Sequence, residues 1–428
     1  MSTIDALPTE ILEKILIHLP RAPNETLVKR LGNLRLVSKR IDDIVSPLIL
    51  PEYFIIVSKR PSLIRCDEIC TALATGTPTI FRHLRVLRVN MFYVKDEDAS
   101  RPWFFLLQLL LPLGQINIVK WTYDPIELRA YSASVISDFL LSLTSLQSLT
   151  ELDVIVLTRK DPGLAFPLEP IPQLRTFRIL WHCPYAPHPK ILSQISCAVS
   201  CCNKLENFSF VVPSVNLCKF ESTVTFAQLF EAASSLSTNM VLQALELHGV
   251  SITPGDIKVH LGHFRNLTKL CVVFDPSPSA AKNIGEVLQI LRESNIFLKN
   301  VLIDKIHHPG TFSYLSSYSG IEQLSLQPGH PLDDSPQLMD ELFTSVLPAH
   351  SKSLKWLRIG RQSPSGWTES FSMEQLATVT NCQLLEFVHC WISIKPDDIT
   401  KDESEALVND YNMPFPVSNL IDLARNGG

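Results

Sequence analysis

The sequence predicts two parts of different class: a small all-α unit of three helices over residues 1–50, and an α/β solenoid of irregular repeats over residues 81–394. Three observations predict it. Apolar residues near the N-terminus recur at helical spacing between prolines. Beyond about residue 60 a strand-sized pattern, apolar–x–x–apolar–x–apolar, recurs about eleven times at spacings of roughly 23 to 37 residues. The stretches between these occurrences carry helical periodicity, which makes an alternation of short strands and helices. Residues 51–80 read as a connecting segment, and residues 395–428 as a terminal cap or a flexible tail.

The first helix is the best marked. Pro8 suits the first helical turn, where a missing N–H costs nothing. Ile11, Leu12, Ile15, Leu16 and Leu19 then fall on one broad face. Pro20 and the run Arg21-Ala22-Pro23-Asn24-Glu25 stop the helix. Two further amphipathic pieces follow, Thr26 to Leu31 and Leu34 to Val45, ending before Pro47. Three such helices bury little surface, and units of about 40 residues usually need a disulfide, a metal or a partner. No cysteine precedes Cys66, so a partner protein is the expected support.

The motif Leu7-Pro8-Thr9-Glu10-Ile11-Leu12-Glu13-Lys14-Ile15-Leu16, followed by Leu34-Arg35-Leu36-Val37-Ser38-Lys39-Arg40, resembles an F-box. The connection from Arg21 to Gly32 is longer and more polar than the compact form of that motif. The resemblance implies docking on the Skp adaptor of cullin–RING ubiquitin ligases, with the rest of the chain presenting a protein substrate. It assigns Leu7, Pro8, Ile11, Leu12, Ile15 and Leu16 to the docking helix, and Leu36 and Val37 to a later contact. On that reading, Leu12→Asp with Leu16→Asp abolishes Skp binding and leaves the remainder folded. The other reading is an ordinary helical cap on a larger domain, which needs the apolar spacing but not this order of residues.

The recurring pattern runs through Leu84-Leu87-Val89, Ile116-Val119-Trp121, Leu149-Leu152-Val154, Leu174-Phe177-Ile179 and Leu205-Phe208-Phe210. It continues through Leu242-Leu245-Leu247, Leu267-Leu270-Val272, Leu298-Val301-Ile303, Ile321-Leu324-Leu326, Leu354-Leu357-Ile359 and Cys382-Leu385-Phe387. Between these lie helical faces such as Ile191, Leu192, Ile195 and Val199, or Ile284, Val287, Leu288 and Leu291. Ser335-Pro336 and Ser372-x-x-Gln375 mark helix starts. The layout resembles a leucine-rich-repeat horseshoe, although the usual Asn or Cys after the strand is mostly absent. In such a horseshoe the residue before each last anchor faces outward. The expected lane is Arg88, Lys120, Asp153, Arg178, Ser209, Glu246, Cys271, Leu302, Ser325, Arg358 and Glu386. Its mixed signs fit either a self-neutralising ladder or a recognition surface with Trp356 as an aromatic anchor. Arg178, Glu246, Trp356 and Arg358 are the candidate substrate contacts.

Composition narrows the function. The net charge of −5, with both signs mixed, points to neither nucleic acid nor a membrane surface as partner. The N-terminus lacks the positive flank and apolar run of a signal peptide, and the apolar stretch Trp103 to Leu113 is too short to span a bilayer. Ten cysteines without a secretory signal are expected to be reduced thiols of a cytoplasmic or nuclear protein. His182, Cys183, His188, Cys197, Cys201 and Cys202 lack the paired spacing of a zinc site, and His307-His308 reads as part of a turn. No nucleophile elbow, phosphate-binding glycine loop or His-Glu-x-x-His is present. The expectation is a non-enzymatic adaptor with no metal or cofactor. It would dock on Skp, and through it on cullin, and bind a protein substrate. The alternative is an interaction scaffold acting outside a ubiquitin ligase.

Overall fold

A computed structural model describes residues 7–18, 31, 34, 37–49, 52–57, 71, 84–91, 115–123, 140–157, 171–183, 185–212, 224–235, 240–273, 278–306, 309–328, 335–359, 373–390 and 415–416. The chain divides into two compact units, Met1–Cys183 and Pro184–Gly428.

In the first unit, α1 (Thr9–Ile17) starts where Pro8 predicts, and the N–H groups of Ile11 and Leu12 donate to the Pro8 carbonyl at 3.1 Å. A second helix, α2 (Lys39–Ile49), opens with the Ser38 hydroxyl accepting from the Ile41 N–H at 3.2 Å. Leu12, Leu16, Leu31, Ile41, Ile44 and Val45 pack into one small cluster, with Leu7 and Leu34 against it. Directly after α2 comes β1 (Glu52–Val57), inside the segment expected to be a connection. It pairs in parallel with β2 (Val86–Met91), and β3 (Ile118–Tyr123), β4 (Glu151–Leu157) and β5 (Thr176–His182) follow in chain order, all parallel.

The second unit opens with α3 (Pro189–Cys201), which leads into β6 (Asn207–Val211). Its sheet continues in parallel through β8 (Ala244–His248), β10 (Lys269–Val273), β11 (Asn300–Ile306), β12 (Gln323–Pro328), β13 (Trp356–Ile359) and β14 (Phe387–Cys390). The short β15 (Phe415–Pro416) adds antiparallel to β14. Two two-residue strands, β7 (Val224–Thr225) and β9 (Val250–Ser251), pair separately. The helices between strands are α4 (Phe226–Phe230), α5 (Pro254–His260), α6 (Pro278–Glu293), α7 (Pro309–Leu315), α8 (Ser335–Glu341), α9 (Leu347–His350) and α10 (Met373–Thr380). Capping boxes begin α4 and α5: Thr225 with Gln228, and Thr253 with Asp256. Among the described residues, no helix is long and apolar enough to cross a membrane.

Register in the second unit is set just before each strand. The N–H of Gln243 donates to the Glu206 carbonyl at 2.7 Å, Thr268 to Gln243 at 2.8 Å, and Lys299 to Thr268 at 2.7 Å. Glu322 to Lys299, Lys355 to Glu322 and Glu386 to Lys355 continue the ladder at 2.8 Å each. Within the strands alternate side chains turn inward, so Phe208, Phe210, Leu245, Leu247, Leu270, Val272, Leu324, Leu326, Leu357 and Ile359 are buried. Helix side chains cover that inner face. Phe226 stacks on Phe230 with ring centroids 4.3 Å apart, and Phe230 meets Phe208 edge-on at 5.4 Å.

This arrangement corrects the expected fold class. The chain is not a small all-α three-helix F-box followed by a leucine-rich-repeat solenoid; it is an α/β fold dominated by a large parallel sheet. Two physical reasons account for the difference. Among the described residues the N-terminal helices bury one small cluster, and β1, the next strand in the chain, pairs with β2, so the helices share a compact unit with the sheet. The recurring apolar pattern marks a parallel strand with its inner face covered, which any α/β sheet of this size supplies. Leu19, Leu36, the stretch Trp103 to Leu113, Ser372, His307-His308 and nearly all of residues 395–428 lie outside the described residues.

Candidate functional site

Two surfaces hold the residues singled out by sequence. The first is the N-terminal helical face. Leu12 and Leu16 are only 2% and 7% exposed, because they form the segment's own cluster. Ile11 and Ile15, one residue earlier in each turn, are 43% and 40% exposed, and Val37 is 63% exposed. Leu7 is half-buried and Pro8 exposed. Arg40 Nη2 donates to the Leu7 carbonyl at 2.6 Å and so ties the start of α1 to α2. A Leu12→Asp, Leu16→Asp variant therefore puts charges into the cluster itself. Substitution of Ile11, Ile15 or Val37 alters only the outer face.

The second surface is the outer face of the sheet in the second unit. Asn207, Ala244, Lys269, Asn300, Gln323, Trp356 and Phe387 stand in one register row. Ser209, Glu246, Cys271, Leu302, Ser325, Arg358 and His389 form the next. A cavity of about 240 Å³ opens on these rows, lined by Glu246, Lys269, Cys271, Asn300, Leu302, Gln323, Ser325 and Trp356 among others. Two of the predicted contacts, Glu246 and Trp356, thus share one cavity. Ser325 Oγ and Arg358 Nε are buried without a hydrogen-bond partner among the described residues.

One register differs from expectation. The last parallel strand, β14, runs Phe387–Cys390, with Val388 buried and Phe387 46% exposed beside Trp356. Phe387 is therefore an outward aromatic and not an inner anchor. Glu386 leaves the Arg358 row and lies in the pre-strand ladder next to Lys355. Both registers satisfy the apolar spacing, and only hydrogen bonding to β13 decides between them.

The fourth predicted contact, Arg178, belongs to the first unit. There Arg178 Nη1 lies 3.2 Å from Glu151 and 3.6 Å from Asp153, while Lys120 Nζ lies 3.8 Å from Asp153. These charges meet one another, as a self-neutralising ladder requires. Burial is the largest influence on Asp153 and holds its carboxyl above the usual range, against the pull of Arg178 and Lys120.

The densest chemistry sits at the edge of the cavity. Glu246 and His248, two residues apart on β8, point to the same side, and Cys271 faces Glu246 across the β8–β10 pairing. His248 Nε2 is 3.2 Å from Glu246 Oε1 and 3.3 Å from Cys271 Sγ. Ser209 Oγ donates to Glu246 Oε2 at 3.2 Å. The bond from His248 is the strongest influence on Glu246 and holds its carboxyl below the ordinary value. Burial, then the Glu246 carboxylate, push the Cys271 thiol up to about 12. The group is not a nucleophilic triad. Both contacts of His248 use the same ring nitrogen, whereas a relay employs both, and the thiol stays protonated at neutral pH.

The cysteine–histidine group considered from sequence has other roles. His188 caps α3 by accepting from the Lys190 N–H at 3.2 Å. Cys202 is buried and donates to the Ala198 carbonyl at 3.1 Å, while Cys197 and Cys201 lie exposed on the helix. Sequence reasoning missed Lys269, Asn300, Gln323, Phe387 and His248. The first three open their strands, two residues before the expected lane, and Phe387 opens β14, one residue after the expected Glu386. No protein-family model and no curated protein matches the chain.

Proposed function

We propose that the chain is a substrate-recognition adaptor of a Skp–cullin–F-box ubiquitin ligase. Its F-box-like N-terminal helices dock on Skp and, through it, on cullin. The outer sheet face of the second unit holds a protein substrate, with Glu246, Trp356 and Arg358 as contacts and Phe387 added to them; Arg178, paired with Glu151 and Asp153 in the first unit, is left out of this site. The adaptor does not catalyse transfer; it raises the effective concentration of a substrate lysine near the charged conjugating enzyme.

One observation carries the reading. Ile11 and Ile15 on α1 and Val37 in the turn before α2 are large, apolar and exposed, although these helices already possess their own buried cluster. Folding of that cluster does not explain their apolar character, and they occupy positions of the F-box-like motif. On the sheet face, Trp356 and Phe387, paired across β13 and β14, supply an aromatic anchor of the kind that dominates protein interfaces.

The test is co-expression of the full chain with Skp, followed by size-exclusion chromatography. Co-elution that Ile11→Asp with Ile15→Asp abolishes, at unchanged circular dichroism, supports the docking face. Separate elution of a folded wild-type chain overturns it and favours a scaffold acting outside the ligase.

A further inference from the structure

We propose that Glu246, His248 and Cys271 form a binding site for a divalent metal ion of the zinc type. The inference is independent of the adaptor reading and rests on the convergence of three different donor atoms. One carboxylate oxygen, one imidazole nitrogen and one sulfur all lie within 4.8 Å of one another. The two measured edges, 3.2 Å between Glu246 Oε1 and His248 Nε2 and 3.3 Å between His248 Nε2 and Cys271 Sγ, are short enough to close on one ion. Zinc bonds of about 2.0–2.1 Å to nitrogen or oxygen and about 2.3 Å to sulfur place tetrahedral ligands roughly 3.3–3.6 Å apart. Small side-chain movements therefore bring the three onto one ion.

The backbone presents the donors without strain. Glu246 and His248 alternate onto one face of β8, and strand register brings Cys271 opposite Glu246. Ser209 Oγ holds the far oxygen of Glu246 at 3.2 Å, which leaves the near oxygen directed at His248, as outer hydrogen bonds orient metal ligands. An oxygen–nitrogen–sulfur set excludes calcium and magnesium, which take oxygen alone, and suits zinc. Binding would form a metal–sulfur bond and break the Cys271 S–H bond, with the proton passing to solvent, and would form a metal–nitrogen bond as the Nε2 proton of His248 moves through solvent to Nδ1. Three protein donors leave a fourth position. Glu246 and Cys271 line the cavity that Lys269 and Asn300 also line, so this position opens toward it. A water, or a carboxylate or imidazole of a bound partner, would complete the coordination.

The test uses the reduced full-length chain, stripped of metal by chelation and titrated with Co²⁺ alone. Binding is followed through the near-ultraviolet thiolate-to-cobalt charge-transfer band. We expect saturation at one equivalent. The band should vanish in Cys271→Ser and survive in Cys197→Ser with Cys201→Ser, which removes the exposed thiols of α3. Because Cys271 is buried, Glu246→Gln at the half-buried carboxylate is the second variant. It should weaken Co²⁺ binding at least tenfold with unchanged circular dichroism. A wild-type chain without the band, a band that survives Cys271→Ser, or undiminished affinity in Glu246→Gln would each overturn the site, leaving a hydrogen-bonded cluster only.

Discussion

Asp153 and Glu246 hold the same position in their strands, third from the start of β4 and of β8, yet their carboxyls are shifted in opposite directions. Asp153 is flanked by Lys120 and Arg178, but burial prevails and its carboxyl titrates above the usual value. Glu246 meets His248 and Ser209 through hydrogen bonds, and its carboxyl titrates below. Salt bridges at 3.6–3.8 Å do little for a half-buried acid, whereas hydrogen bonds aimed at the charged form do more. The first unit's face has spent its charges on itself. The second unit also pairs some charges, Glu322 with Lys355 and Lys299, but its face carries a cavity and two outward aromatics beside them, which suits a binding surface.

The difference should be confined to the outer rows. Phe177→Ala beneath the first face and Phe208→Ala beneath the second should cost similar amounts, about 3–5 kcal/mol each, in denaturant titrations. Both rings are fully buried in their strands. A large inequality between the two would move the contrast from the surface into the cores.

His350 gives the next largest effect and a control on pH. Its Nδ1 accepts from the Ile321 N–H at 3.2 Å and its Nε2 donates to the Leu315 carbonyl at 2.8 Å, so the ring is buried and neutral. Removing it in His350→Ala leaves two backbone groups unpaired and should cost about 1–3 kcal/mol. Burial lowers its pKa from 6.5, so its stabilisation is complete above pH 6.5 and lost as pH falls through that value and below. The thermal midpoint should fall in that window, and less steeply in the variant.

Glu246 and Asp153 then separate by sign. With no metal added, Glu246→Gln should destabilise by about 1 kcal/mol at pH 7, the low end for hydrogen bonds to a charged group. Its lowered pKa makes that contribution complete above 4.5 and lost as pH drops through the folded-state value. Asp153→Asn should change stability least, by less than about 0.5 kcal/mol at pH 7, and in the stabilising direction. Its raised pKa means that ionisation on going above 3.8 weakens the fold. Equal destabilisation by both variants in urea titrations at pH 7 would erase the contrast.

Much of this was legible in the chain. The anchors from Leu84 to Leu357 are buried as the spacing predicts, and the helical faces around Ile195 and Leu288 turn inward. Glu246 and Trp356 meet in one cavity because an alternating pattern fixes which side a residue faces. What failed needed three-dimensional pairing. A Leu-rich stretch admits two registers, so the spacing puts Phe387 and Glu386 three residues away from their place against β13, and apolar spacing alone does not choose between the architectures that parallel strands build. His248 and Cys271 lie 23 residues apart, and only the β8–β10 register brings them together. On α1, helical periodicity put Ile11 and Leu12 on one broad face, and packing against α2 decided that Leu12 goes inside and Ile11 stays out.

The most direct measurement is calorimetric titration of purified Skp into the purified full chain, for the wild type and for Ile15→Asp. Saturable one-to-one binding by the wild type, weakened at least a hundredfold in Ile15→Asp with its thermal midpoint unchanged, is the predicted result. A folded wild-type chain that gives no heat of binding, or an Ile15→Asp chain that binds as tightly as the wild type, would contradict the assignment of the N-terminal face.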